Sequence, residues 1–155
     1  MNTSPLDDLL IRVARLEDIE QIRRLKHRYC SLCDQGYKAE EIAAIFTPDG
    51  VWEASEPYGR IVGRDAMVRF FRSMPSSVSF SVHSVCNSII DVDGDVAHGS
   101  WRSVIPATFT IDGRAVPHWL FSSYDDTLRK VDGHWLFTHM RSVIQKVSEH
   151  RLGWQ

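Results

Sequence analysis

Three side chains in the sequence have types suited to acid–base catalysis: Tyr29, Asp34 and His83. Tyr29 and Asp34 lie near the end of a predicted helix, and His83 lies in a predicted strand. The helix dipole disfavours a carboxylate in the last turn, so Asp34 is either exposed or held by a partner. If that partner is His83, the carboxylate would fix the imidazole tautomer and raise its basicity. Tyr29 would then be a hydrogen-bond donor for a developing oxyanion.

Each of these residues also has an ordinary structural interpretation. A lone histidine on a strand more often hydrogen-bonds within a core or faces solvent. Tyr29 and Asp34 are five positions apart, which is about 140° around a helix, so they do not share one stripe. The sequence alone therefore leaves open whether the three groups meet.

The apolar periodicity predicts helices first and strands afterwards. The predicted helices cover residues 5–15, 16–35, 38–46 and 64–74. The predicted strands cover residues 51–54, 58–63, 78–92, 96–111, 115–130 and 134–147. A turn is expected at residues 47–50, and Asp-Gly pairs predict tight turns between the last four strands. This order indicates a single α+β domain over residues 1–155, with helices on one face of a mainly antiparallel sheet.

Side-chain alternation assigns further residues to faces of the predicted strands. His83 and Asn87 share one face of strand 78–92 with apolar neighbours, and this mixture is typical of a cavity lining. His118 is a second possible polar group, with a rim position as the alternative. Trp101 could line the cavity or pack against another subunit, and Trp52 could belong to the core.

Several basic residues of the second predicted helix are expected to face solvent, because they lie mainly outside its apolar stripe. These residues are Arg23, Arg24, Lys26 and Arg28.

The composition argues against several classes of protein. The net charge is −2, with 18 Lys and Arg against 20 Asp and Glu, so a nucleic acid partner has no electrostatic support. No apolar run approaches the ~18 residues of a membrane span, and no signal peptide is visible, so we expect a cytoplasmic protein.

The cysteine and histidine spacing does not suggest a disulfide, metal or cofactor site. Cys30, Cys33 and Cys86 are an odd number, and Cys30-x-x-Cys33 is interpreted as two reduced thiols on a helix. The histidines lack metal-ligand spacing, and no glycine-rich nucleotide motif occurs. We therefore expect neither a metal nor a cofactor.

Several short motifs follow one another in a characteristic order between residues 10 and 145. They are Ile22-x-x-Leu25-x-x-x-Tyr29-x-x-x-x-Asp34, Ile45 to Trp52, Gly63 to Met67, His83 to Asn87, and Tyr124-Asp125-Asp126 followed by Asp132 to Trp135. In this order they resemble the SnoaL-like branch of the nuclear transport factor 2-like superfamily. The resemblance implies a cone-shaped barrel, in which a strongly curved, mixed, mainly antiparallel sheet packs on N-terminal helices.

The resemblance also implies a catalytic site. In dehydratases and dehydrohalogenases of this superfamily, a helix Asp and a strand His form an acid–base dyad, often joined by a helix Tyr. Carried over, these roles fall on Asp34, His83 and Tyr29. The Tyr-x-x-x-x-Asp spacing is similar to that of bile acid 7α-dehydratases, and scytalone dehydratase is an enzyme of the same type. Arg141, in the last predicted strand, is a plausible further site residue.

The expected function is that of a cofactor-independent lyase or isomerase, dehydratase-like, acting on a hydrophobic small molecule. The expected substrate-binding residues are Asn87, His118, Trp101, Arg141 and Trp52. The alternative is a non-catalytic binding or assembly module of the same fold, similar to the β subunits of aromatic-ring dioxygenases. A curved sheet with an exposed face usually needs cover, so we expect a homodimer or homotrimer.

Overall fold

The computed structural model describes residues 4–154, which form three helices and seven strands. The helices are α1 (Pro5–Asp34), α2 (Ala39–Ala44) and α3 (Arg64–Ser77). The strands are β1 (Phe46–Ala54), β2 (Gly59–Val62), β3 (Val78–Ser81), β4 (Ser84–Asp93), β5 (Val96–Ile111), β6 (Arg114–Val131) and β7 (His134–Glu149).

The seven strands form one strongly curled mixed sheet with the order β2-β1-β7-β6-β5-β3. β4 pairs with β5 along the same edge as β3. The β1–β7 pairing is parallel, and the other pairings are antiparallel. The predicted α+β cone, with helices placed before a curved and mainly antiparallel sheet, is confirmed. Among the described residues, no helix has the length and apolar character needed to cross a membrane.

α1 is one continuous helix, whereas the sequence predicted two helices that meet at residues 15 and 16. The Ser4 hydroxyl accepts from the Asp7 N–H at 3.1 Å, and the Asp7 carboxylate accepts from the Ser4 N–H at 3.3 Å. This capping box starts the helix. No glycine or proline occurs between residues 6 and 34, so nothing in the chain favours a break. Residues 4–17 are exposed, and burial begins at Asp18.

The long strand predicted over residues 78–92 is in fact two strands, β3 and β4. The Val82 N–H still donates to the Pro106 carbonyl on β5 at 3.0 Å. The next N–H, that of His83, donates instead to the Asp34 carboxylate at the end of α1. The apolar residues are even-numbered up to Val82 and resume at Val85, but no glycine, proline or Asp-Gly pair marks the break as a turn.

Residues 47–50, predicted as a turn, lie within β1. Phe46 pairs with Phe137 and Val51 pairs with His139. An advance of five residues along β1 therefore corresponds to an advance of two residues along β7. The extra residues form a bulge, which bends the strand and increases its twist.

Two ion pairs of opposite polarity connect α1 with β6. Asp18 accepts from the Lys130 ammonium at 2.7 Å, and the Lys26 ammonium donates to Asp126 at 2.8 Å. The eight helical steps between Asp18 and Lys26 span about 12 Å, and the four strand steps between Lys130 and Asp126 span about 13 Å. The matching lengths let both pairs form when α1 runs antiparallel to β6. Lys26, expected to face solvent, is therefore fully buried.

Candidate active site

A cavity of about 70 Å³ lies between α1, α3 and the inner face of the sheet. Apolar side chains such as Phe71, Ile105 and Leu120 form much of its wall. Its polar lining, apart from the Trp52 indole, consists of Tyr29, Tyr37, Tyr58, Tyr124, Ser81, Ser122, Ser142 and His83. Within residues 4–154, no lysine, arginine, aspartate or glutamate lines it. Mostly apolar walls with a few polar groups are typical of a small-molecule site.

The structure brings the His83 imidazole and the Asp34 carboxylate into contact. Nδ1 of His83 lies 2.6 Å from Oδ1 of Asp34, and the His83 backbone N–H lies 3.0 Å from each carboxylate oxygen. The Ser81 hydroxyl is a further, longer donor at 3.5 Å. These donors hold a carboxylate that the end of α1 would otherwise disfavour. The His83 N–H makes its hydrogen bonds with Asp34 at the break between β3 and β4, where it does not pair with β5.

The contact determines which imidazole nitrogen is available to a ligand. An ionised carboxylate only accepts hydrogen bonds, so the Nδ1 of a neutral His83 carries the hydrogen and Nε2 carries the lone pair. In the described part of the chain, Nε2 has no protein hydrogen-bond partner. The His83 side chain is 10% exposed and lines the cavity, whereas Asp34 does not line it. The arrangement therefore presents a base to the cavity, with the carboxylate behind it.

Tyr29 lines the same cavity from α1. The Trp52 indole N–H donates to the Tyr29 oxygen at 2.9 Å. Because an indole only donates, the Tyr29 hydrogen is left for another acceptor. Burial raises the pKa of Tyr29 well above its ordinary value, so the phenol stays protonated and can donate. Trp52 also lines the cavity, so it takes part in the site as well as in the core.

Three of the predicted substrate-binding residues do not line the cavity. Asn87 is exposed with φ +52°, within a register shift of β4 that interrupts the assumed alternation. Trp101 is buried, and its ring packs so closely on Gly99 that an added Cβ would lie 2.1 Å from it. Arg141 is exposed and lies 3.5 Å from the Glu53 carboxylate on the outer side of β1 and β7.

His118 also lies outside the cavity lining. Its Nδ1 is 3.0 Å from the Val116 carbonyl, and its ring packs edge-on against Phe109, which does line the cavity. This position agrees with the rim alternative that the sequence left open.

Several lining residues were missed by the sequence analysis. Tyr124 and Ser122 lie on the same strand face, and that alternation was a usable signal. Ser142 lies on β7 opposite Tyr124 and lines the same wall. Tyr37 lies outside the helices and strands, where periodicity assigns no face, and Tyr58, the first residue of the predicted strand 58–63, lies in the turn before β2.

The described residues contain no group of three His, Cys, Asp or Glu side chains that could hold a metal ion. Cys30 and Cys33 are buried free thiols, and burial raises the pKa of Cys30 to about 11. Cys86 is exposed.

Residues 14–141 match the SnoaL-like domain, so this chain belongs to the SnoaL-like family. The match covers α1 from residue 14 and continues to Arg141 in β7. No curated protein is significantly similar to the chain.

Solved structures share the fold. An NTF2-like protein with a cystatin-like fold from Novosphingobium aromaticivorans is 24% identical, with a TM-score of 0.73, and the match covers 94% of this chain and 93% of that one. A scytalone dehydratase-like protein of the same organism is 24% identical, with a TM-score of 0.76 and coverages of 88% and 89%. A hexachlorocyclohexane dehydrochlorinase of Novosphingobium barchaimii is 16% identical, with a TM-score of 0.77 and coverages of 89% and 93%.

Proposed function

We propose that this chain is a dehydratase-like lyase or isomerase that uses His83 as its base and acts on a hydrophobic small molecule in the cavity. The observation that carries the proposal is the 2.6 Å contact between His83 and Asp34 beside a mainly apolar chamber. The names of two structural neighbours refer to elimination reactions: one is scytalone dehydratase-like and the other is a dehydrochlorinase. Their names support the reaction class but not a particular substrate.

In the proposed reaction, Nε2 of His83 removes a proton from the carbon next to a carbonyl group. The electron pair of the broken C–H bond moves to the carbonyl oxygen, and the resulting enolate accepts a hydrogen bond from Tyr29. Asp34 stabilises the imidazolium that forms.

Collapse of the enolate forms the carbon–carbon double bond and breaks the bond to a β-hydroxyl group. The hydroxyl takes the proton back from His83 and leaves as water, so the products are an enone, water and the unchanged enzyme. Return of the proton to a different carbon would give an isomerisation instead. General acid–base groups typically contribute about 10²–10⁴-fold each to such steps.

The test is turnover of a panel of hydrophobic β-hydroxy ketones, followed by the ultraviolet absorbance of the enone. We expect His83→Ala and Asp34→Asn each to lower kcat by about 10²-fold or more. Both variants should keep the circular dichroism spectrum and melting temperature of a folded chain. Asn87→Ala is the matched control, because Asn87 is polar, lies on the next strand and is exposed outside the cavity, so this variant should keep full activity.

Two results would overturn the proposal. One is wild-type activity in both dyad variants. The other is tight binding of a panel member by the wild type with no elimination or isomerisation, which would favour the non-catalytic binding module.

A further inference from the structure

Behind two of the cavity-lining tyrosines lies a buried ion pair. The side chains of Lys26 and Asp126 are both 0% exposed, and their charged atoms are 2.8 Å apart. The Lys26 ammonium lies 3.3 Å from the ring centroid of Tyr124 and 5.3 Å from that of Tyr29. The phenol rings therefore separate a fixed positive charge from the cavity.

Stability alone does not account for this pair. Desolvation of two charges commonly cancels their attraction, and apolar replacements of buried pairs are often as stable. Oδ1 of Asp126 has no hydrogen-bond partner in the described residues, which adds to the penalty. The more exposed Asp18–Lys130 pair already links the same helix and strand.

An ammonium over the face of a phenol ring attracts its π electrons and makes the hydroxyl a stronger hydrogen-bond donor. The effect is largest for a group that is shielded from solvent, and Lys26 is fully buried. The Tyr29 oxygen accepts from Trp52, so the Tyr29 hydrogen can be donated either to the Cys33 thiol or to a ligand in the cavity.

We propose that Lys26 is a positioning residue whose ammonium group, held by Asp126, strengthens Tyr29 and Tyr124 as hydrogen-bond donors to an oxyanion in the cavity. The proposal rests on the proposed function, in which that oxyanion is an enolate. It adds a group that never touches the substrate and acts through the two phenols.

Most of the titratable groups near the Lys26 ammonium are uncharged near neutral pH. On α1, the titratable neighbours are Tyr29, Cys30 and Cys33, and burial raises the pKa of all three, so they are neutral near neutral pH. On β6 the neighbours are Tyr124, which is likewise neutral, and Asp126.

Two further neighbours of Lys26 are aromatic rings. β5 contributes Trp101, whose ring centroid is 4.9 Å from the ammonium, and β7 contributes Phe137 at 5.8 Å. Asp126 is therefore the carboxylate that pairs with Lys26.

The test is equilibrium binding of 4-nitrophenol, because its ionised form is read directly by absorbance and no turnover is required. The wild type should bind the phenolate in preference to the phenol, which lowers the apparent pKa of the bound probe. Lys26→Met/Asp126→Leu removes both buried charges and should reduce that preference about tenfold, equal to one unit in the bound probe's pKa.

Two controls separate this effect from a change in cavity shape. 4-Nitroanisole cannot ionise, and its affinity should change less than twofold in the double variant. Lys130→Met breaks the other lysine–aspartate pair between α1 and β6, which does not contact the cavity-lining tyrosines, and should leave the phenolate preference unchanged.

The proposal is overturned if the folded double variant keeps the wild-type preference, or if it loses affinity for 4-nitroanisole by the same factor. It is also overturned if the wild type does not favour the phenolate. Because binding is measured without catalysis, these outcomes are distinct from a failure of the turnover test on His83 and Asp34.

Discussion

Removing Lys26 alone should destabilise the chain far more than removing Lys26 and Asp126 together. Lys26→Met leaves the Asp126 carboxylate, which is 0% exposed, without its charged partner, and such one-sided changes cost about 3–5 kcal/mol. For a chain of this size, that loss lowers the melting temperature by roughly 6–20 °C. Lys26→Met/Asp126→Leu leaves no buried charge, so it should lie within about 1 kcal/mol of the wild type or be more stable.

The loss in free energy of unfolding caused by Lys26→Met, called the deficit below, should also depend on pH. Burial raises the pKa of Asp126 to about 6 in the wild type, and loss of the Lys26 ammonium raises it further. A carboxyl group whose pKa is higher in the folded than in the unfolded chain takes up protons preferentially in the folded state. Because the wild-type carboxyl also gains this stabilisation below about pH 6, the deficit is greatest above the higher pKa of the variant, shrinks as the pH falls through that pKa towards about 6, and is constant below about 6.

Urea unfolding followed by tryptophan fluorescence, at about pH 5 and pH 7.5, measures both effects. The reasoning is refuted if Lys26→Met loses less than about 1 kcal/mol at the higher pH. It is also refuted if the deficit is the same at both pH values, or if the double variant loses as much as the single one.

Two further predictions concern thiols and packing. A thiol reagent at neutral pH should modify Cys86 rapidly in the folded chain. It should modify Cys30 and Cys33 only after denaturation, because both are buried and burial raises the pKa of both thiols. Rapid modification of all three cysteines in the folded chain would contradict this prediction. Gly99→Ala should cost about 1–3 kcal/mol of stability, because the new Cβ would lie 2.1 Å from the Trp101 ring. An unchanged urea midpoint would show that the indole moves freely.

The order of the helices and strands could be predicted because their boundaries carry local signals. Asp-Gly turns separate the last strands, and Gly36, with φ +83°, follows the end of the first helix. The break between β3 and β4 has no such signal, since it depends on a carboxylate 49 residues away along the chain. Sequence alternation alone therefore placed His83 correctly in the cavity but assigned Asn87 to the same wall, where it does not lie.

The remaining errors also involve groups whose surroundings come from distant parts of the chain. Lysine is a residue type that usually lies on the solvent-exposed face of a helix. Lys26 is buried instead because its ammonium group pairs with Asp126, which is 100 residues away along the chain. The assignment of Arg141 to the site came from the family resemblance, and its side chain points instead to Glu53 on β1. A single sequence gives the helix and strand order of this fold, but not which polar side chains its curvature turns inwards.

The parallel pairing of β1 with β7 has a consequence for biosynthesis. Val51 and His139, which are neighbours in the sheet, are separated by 88 residues of chain. During synthesis, the edge of β1 that pairs with β7 therefore stays unpaired until β7 has left the ribosome. Such long-range closure is slow and leaves the growing chain open to association with other chains, so this protein should depend on chaperones more during synthesis than after release.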